Sequence, residues 1–211
     1  MTSLFMASSA GSIAVSPAKS VSIREFDLPT RDARPHDPAV APDGSLWVTE
    51  QKANKLGRLD PRSGRLREYS LSTADSGPHG LVADREGNIW FTANYKGYVG
   101  KLDPTTGKVV EFHVPFAHAD PHTPAIDLNG RVWFTMQDAN RIGRLEPRTG
   151  KIDLREVPTR DAKPYEMVVT AQGVPIFCEF LRGRCLARPR AGLLRFIRQG
   201  REPPVARTRL I

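Results

Sequence analysis

Two cysteines, Cys178 and Cys185, stand in 211 residues. That is too few for a disulfide framework, so packing must hold the fold. No run of 18 apolar residues occurs, and no transmembrane helix is encoded. No segment sustains the 3.6-residue apolar period of an amphipathic helix. Ser-His-Asp order, a C-x-x-C pair, H-E-x-x-H, a P-loop and G-x-G-x-x-G are all missing. Their absence removes most nucleotide-binding, zinc-hydrolase and serine-hydrolase classes. Lysine and aspartate are missing from residues 182–211, which hold nine arginines and one glutamate. That segment carries the whole formal net charge of +8 and leaves residues 1–181 balanced, with 22 basic and 22 acidic residues. The repeat-bearing part therefore offers no basic face for nucleic acid.

What is present is a period. Pro35-His36, Pro78-His79 and Pro121-His122 lie 43 residues apart, and Pro164-Tyr165 continues the series. Trp47, Trp90 and Trp133 keep the same step, as do Gly57, Gly100 and Gly143. One Trp per unit of about 43 residues, with turn residues at fixed offsets, marks β-propeller blades. Within residues 78–115 four short apolar or β-branched runs are separated by Glu86-Gly87, Asn94–Gly97 and Asp103–Gly107. Gly and Pro in such turns preset the backbone, so each unit reads as a four-stranded antiparallel meander, strands A to D. The fold class is all-β: a propeller array with about three and a half blades present of a probable seven. Residues 1–22 form a leader, Ser-rich and small, read as a remnant signal or a disordered segment. It favours a periplasmic or secreted location over a cytoplasmic one. Residues 23–181 are the repeats, opening with a D-like strand at Ile23–Leu28. The pattern stops in mid-blade, so the arginine-rich tail 182–211 reads as sequence foreign to the blade, as a frame change would produce. A basic arm is the other reading, and no C–D hairpin is expected there.

Function in a propeller gathers at one mouth of the channel lined by the A strands. Counting back from the Asp43-Gly44 turn brings His36 opposite Gln51, beside Glu50. The spacing of 14 recurs as His79/Ala93, His122/Met136 and Tyr165/Glu179. A residue repeated in every blade is first a building residue, so the asymmetric positions carry the functional signal. These are Glu50, Glu179, Asp120 two before His122, and Tyr165-Glu166. An imidazole beside carboxylates can act as a general base, or the carboxylates can hold a hard divalent cation.

The units PHGLVADREGNIWFTANYKGYVGKLDPTTG and PHTPAIDLNGRVWFTMQDANRIGRLEPRTG resemble the repeats of virginiamycin B lyase-like proteins, also called streptogramin lyases. The resemblance covers roughly residues 23–180. It implies a seven-bladed, monomeric propeller and a Mg²⁺-dependent elimination that opens a cyclic depsipeptide at its ester bond, a route of antibiotic resistance. It implies His36 and His122 as catalytic residues, His79 and Tyr165 as substrate contacts, and Glu50, Asp120 and Glu179 as metal ligands. The implied set is an acidic residue two before the histidine and a Glu fourteen after it, and no single blade carries all of it. Blade 1 has His36 and Glu50 but Arg34; blade 3 has Asp120 and His122 but Met136; blade 4 has Glu179 but Tyr165. Weak turnover is therefore expected. A metal-dependent lactonase of the gluconolactonase type and a non-catalytic ligand-binding propeller are the alternative readings.

Overall fold

The computed structural model describes residues 22–182, together with the backbone of 184–187 and 195–198. The leader therefore lies outside the described residues up to position 21, as does most of the tail. Among the described residues sixteen strands make four sheets, each a four-stranded antiparallel meander in chain order. Blade 1 is β1 Pro35–Val40, β2 Leu46–Glu50, β3 Lys55–Leu59 and β4 Leu66–Ser70. Blade 2 is β5 Pro78–Ala83, β6 Ile89–Ala93, β7 Tyr98–Leu102 and β8 Val109–His113. Blade 3 is β9 Pro121–Ile126, β10 Val132–Met136, β11 Arg141–Glu146 and β12 Lys151–Glu156. Blade 4 is β13 Pro164–Val169, β14 Pro175–Glu179, β15 Arg184–Ala187 and β16 Arg195–Arg198, with a 3-10 turn at Phe180–Arg182 before β15. The A strands β1, β5, β9 and β13 adjoin one another in succession around the axis.

The apolar cores lie between blades. Trp47, Leu56 and Tyr69 of blade 1 cluster with Ile89, Phe91 and Tyr98 of blade 2. Trp90 and Val99 cluster with Phe134 and Leu145, and Ile142 with Met167 and Phe177. Gly100 and Gly143 on the C strands leave room for the Phe91 and Phe134 rings; a Cβ there would lie 2.2 and 2.1 Å from the ring. Trp47 and Trp90 are buried, as expected for blade-stacking residues, while Trp133 is half-buried. The reason is local. Tyr69 and Phe112 on the D strands lie beside Trp47 and Trp90, with centroids 5.2 and 5.8 Å away, and the equivalent position in blade 3 is Arg155.

Two expectations are revised. Ile23–Leu28 is extended but forms no strand among the described residues. It still takes the place of a D strand beside blade 1: Phe26 lies against Gly64 as Phe112 lies against Gly150, and Thr30 bonds Glu68 as Thr73 bonds Glu111. The C–D hairpin judged absent from the tail is present as backbone pairing, Glu179↔Arg184 on one side and Arg184↔Arg198 on the other. Arginine and proline weaken a blade face, but a ladder needs only backbone groups, and neither strand contains proline.

Candidate functional site at the channel mouth

The entry to each A strand is built the same way. The residue two before the imidazole or phenol sits in the left-handed region: Arg34 at φ 54°, Gly77 at 58°, Asp120 at 46° and Lys163 at 51°. Proline follows with its fixed φ. Then the A–B ladder breaks in a bulge, between Pro35 and Pro38 and at the matching places in the other blades. A threonine hydroxyl on strand B fills the gap. Thr49 Oγ1 accepts from Asp37 N–H at 3.0 Å and donates to the His79 carbonyl of the next blade at 2.7 Å. Thr92 links Gly80 N–H to the His122 carbonyl, and Thr135 links Thr123 N–H to the Tyr165 carbonyl. One hydroxyl thus ties two blades and sets the height of the next ring.

The result is a column of rings, one per blade. His36 and His79 have centroids 3.9 Å apart, His79 and His122 3.6 Å, and His122 and Tyr165 4.2 Å. His79 and His122 are 6% and 4% exposed, and the Nδ1 of each has no hydrogen-bond partner. Burial, reinforced by the neighbouring imidazoles, pushes His79 down to about 3; burial, then His36, brings His122 to about 4, against a small opposing pull from Asp138. Both imidazoles are neutral at physiological pH.

His36 differs. It is half-exposed, and its Nδ1 lies 2.7 Å from Asp37 Oδ1. Ligand atoms of His36, Asp37 and His79 all fall within 4.8 Å of one another. Asp37 was not singled out from the sequence, yet the signal was there. It stands in the P-H-G position that Gly80 fills in blade 2, where a Cβ would lie 2.5 Å from the His122 carbonyl. Glu166, the blade 4 equivalent, is exposed. Partial desolvation and then Asp37 raise its carboxyl, while His36 opposes. Tyr165 is raised by burial, then by Asp37 and Glu166. Blades 1 and 4 therefore present Asp37 and Glu166 within electrostatic reach of each other.

The acidic residues expected at this mouth stand outside the His36–Asp37–His79 group. Glu50 is paired with Pro35, two residues from Asp37, the partner that hairpin counting gives it, and its Oε1 overlies Gly57. It is fully buried with both oxygens unpartnered, and its nearest charges are Glu68 and Lys55. Glu179 is buried and unpartnered opposite Pro164. Asp120 accepts from the Asn94 side-chain amide and, at 3.1 Å, from Asp138 N–H. Desolvation raises its carboxyl above the ordinary range. None of the three belongs to the grouped ligand set. That set, two imidazoles and one carboxylate, does not fit Mg²⁺, a hard ion that takes oxygen donors.

A family profile for the virginiamycin B lyase family matches residues 4–182. The chain belongs to the virginiamycin B lyase family. Virginiamycin B lyase from Staphylococcus aureus, in its selenomethionine form, is 29% identical with a TM-score of 0.77, over 84% of this chain and 59% of that one. A streptogramin B lyase structure is 30% identical with a TM-score of 0.78, over 83% and 58%. A catalytically inactive variant of the Staphylococcus aureus lyase with quinupristin is 28% identical with a TM-score of 0.78, over 88% and 62%. The chain thus spans about three-fifths of the length of these lyases. A comparison with curated proteins returns no match.

Proposed function

We propose that the channel mouth opens cyclic depsipeptide esters of the streptogramin B type by elimination, with His36 as the base. The observation that carries this reading is the His36–Asp37 pair. Asp37 holds Nδ1 at 2.7 Å and leaves the other ring nitrogen for substrate, on a side chain that is 27% exposed. His79 and His122, driven below the ordinary imidazole range, are weaker bases and serve as neutral contacts for the substrate with Tyr165. The base removes the Cα proton of the residue whose β-oxygen is acylated. The Cβ–O bond then breaks, a carboxylate leaves, and a double bond remains between Cα and Cβ. The Mg²⁺ implied by the family has no matching donor set among the described residues, and no step is assigned to it.

Support comes from family membership and from a relative whose structure holds quinupristin. The test is incubation of the chain with quinupristin, followed by mass spectrometry. Elimination yields a linear product of unchanged mass, and hydrolysis yields one heavier by a water. Unchanged mass with new dehydro-residue absorbance, lost in His36→Ala, is expected. The rate should fall below that of enzymes carrying the whole acidic–His–Glu set in one blade. A product heavier by a water would establish the lactonase alternative, and no product with saturable binding would establish a binding propeller.

A further inference from the structure

We infer that His36, Asp37 and His79 form a site for a borderline divalent transition-metal ion, with Zn²⁺ the representative. Three observations meet here. Their ligand atoms lie within 4.8 Å of one another across two blades. A shift of under about 1 Å per atom brings such a set to bonds of about 2.0–2.2 Å. The His79 Nδ1 is buried, in a residue only 6% exposed, and has no hydrogen-bond partner. An unpartnered buried nitrogen is costly unless something accepts its lone pair. The donors are imidazole and carboxylate, which suit Zn²⁺, Ni²⁺ and Cu²⁺ and leave a soft-to-borderline preference that Mg²⁺ does not share. The Asp37 carboxylate brings negative charge to the ion.

Only the first and second blades supply ligands, so the site needs the Thr49 tie that holds the His79 carbonyl against blade 1. An ion bound at one ring nitrogen of neutral His36 leaves the proton on the other and so excludes it as a base. The site therefore stands or falls apart from the elimination reading: failure of metal binding leaves the quinupristin assay unaffected, and failure of that assay leaves the metal titration unaffected.

The experiment is calorimetric titration of the metal-stripped full chain with Zn²⁺, Ni²⁺ and Mg²⁺, beside electron paramagnetic resonance of its Cu²⁺ complex. One Zn²⁺ per chain is expected, bound at least ~100-fold more tightly than Mg²⁺. The Cu²⁺ spectrum should show splitting from two imidazole nitrogens. His36→Ala and His79→Ala should each weaken Zn²⁺ at least ~10-fold. His113→Ala, on an exposed ring in β8, should leave it unchanged. If His79→Ala fails to fold, the wild-type Cu²⁺ spectrum and the half-exposed His36→Ala still decide. Equal affinity for Mg²⁺ and Zn²⁺, a Cu²⁺ spectrum without imidazole nitrogens, or Zn²⁺ binding indifferent to both histidines would each overturn the site.

Discussion

A carboxylate takes the place of a phenyl ring in blade 1. Phe91 and Phe134 cover the C-strand glycines of blades 2 and 3, but blade 1 has the smaller Val48 at that position, and Glu50 reaches over Gly57 beside it, its Oε1 2.6 Å and the valine Cγ1 3.0 Å from where a Cβ would lie. Burial, and then the Glu68 carboxylate, pushes Glu50 up to about 7 from 4.5, with Lys55 opposing. A carboxyl raised in the folded state is stabilising while protonated. Its contribution is present below pH 4.5 and is lost as pH rises through 7. Glu50→Gln should therefore flatten the decline in stability between pH 5 and pH 8 and raise stability at pH 8 by on the order of 2 kcal/mol. Urea unfolding at the two values measures it, and an unchanged slope would exclude Glu50 as the source. Val48→Phe with Glu50→Ala, which copies the blade 2 strand, should do the same and pack better. His79 acts in the opposite sense. Its depressed pKa gives a contribution present above 6.5 and lost as pH falls through about 3. Acid unfolding should thus begin below neutrality, most visibly in the Glu50→Gln background.

At the scale of the element, the strand B threonines decide where the A strands begin. Each hydroxyl replaces a ladder partner at the bulge and binds the carbonyl of the next blade's ring residue. Thr92→Val keeps the shape but leaves Gly80 N–H and the His122 carbonyl without their buried partner. It should cost about 2–3 kcal/mol. It should also loosen the His79–His122 contact, read as a change in the chemical shifts of both imidazoles by NMR. A stability loss without any imidazole shift would mean that the threonine only glues blades. The same scale shows where one-dimensional reading falls short. Hairpin counting from Asp43-Gly44 misplaces the pairing by one residue at the turn, where Val40 faces Leu46, and the bulge between Pro35 and Pro38 adds a second. The strand pattern at Ile23–Leu28 is genuine as a position, with Phe26 set against Gly64. Pairing, however, belongs to a partner strand, and none among the described residues supplies one.

For the whole molecule, the inner-strand positions that face neighbouring blades tell the arc apart from its flanks. Ala39, Val82 and Ala125 pack forward onto the next interface, and Ala83 and Ile126 pack backward onto the previous one. The matching residues at the flanks, Val168 and Val40, are 62% and 67% exposed. Apolar flanks of this kind pair with another copy. We expect concentration-dependent association in sedimentation, and Val40→Lys with Val168→Lys should shift the population toward monomer. Equal sedimentation of wild type and variant across a tenfold range of about 10–100 μM would show that the flanks are not sticky.

The sequence by itself determined the blades. A gap-free step of 43 residues, one tryptophan per unit and glycine at the turns spell out a four-stranded meander as the repeating unit. Family membership followed from the same residues. It also pointed to the ring of His36, His79, His122 and Tyr165, because equivalent positions in a repeat must meet around its axis. What the period could not decide is direction. Whether Glu50 faces the lumen or Gly57 depends on which neighbour is a valine and which a phenylalanine, and that is a property of packed volume. Asp37 became part of the site only when the bulge turned its side chain toward His36 while the column placed His79 3.9 Å away from that ring. Both placements arise from contacts between blades, which a sequence states only once the blades are stacked.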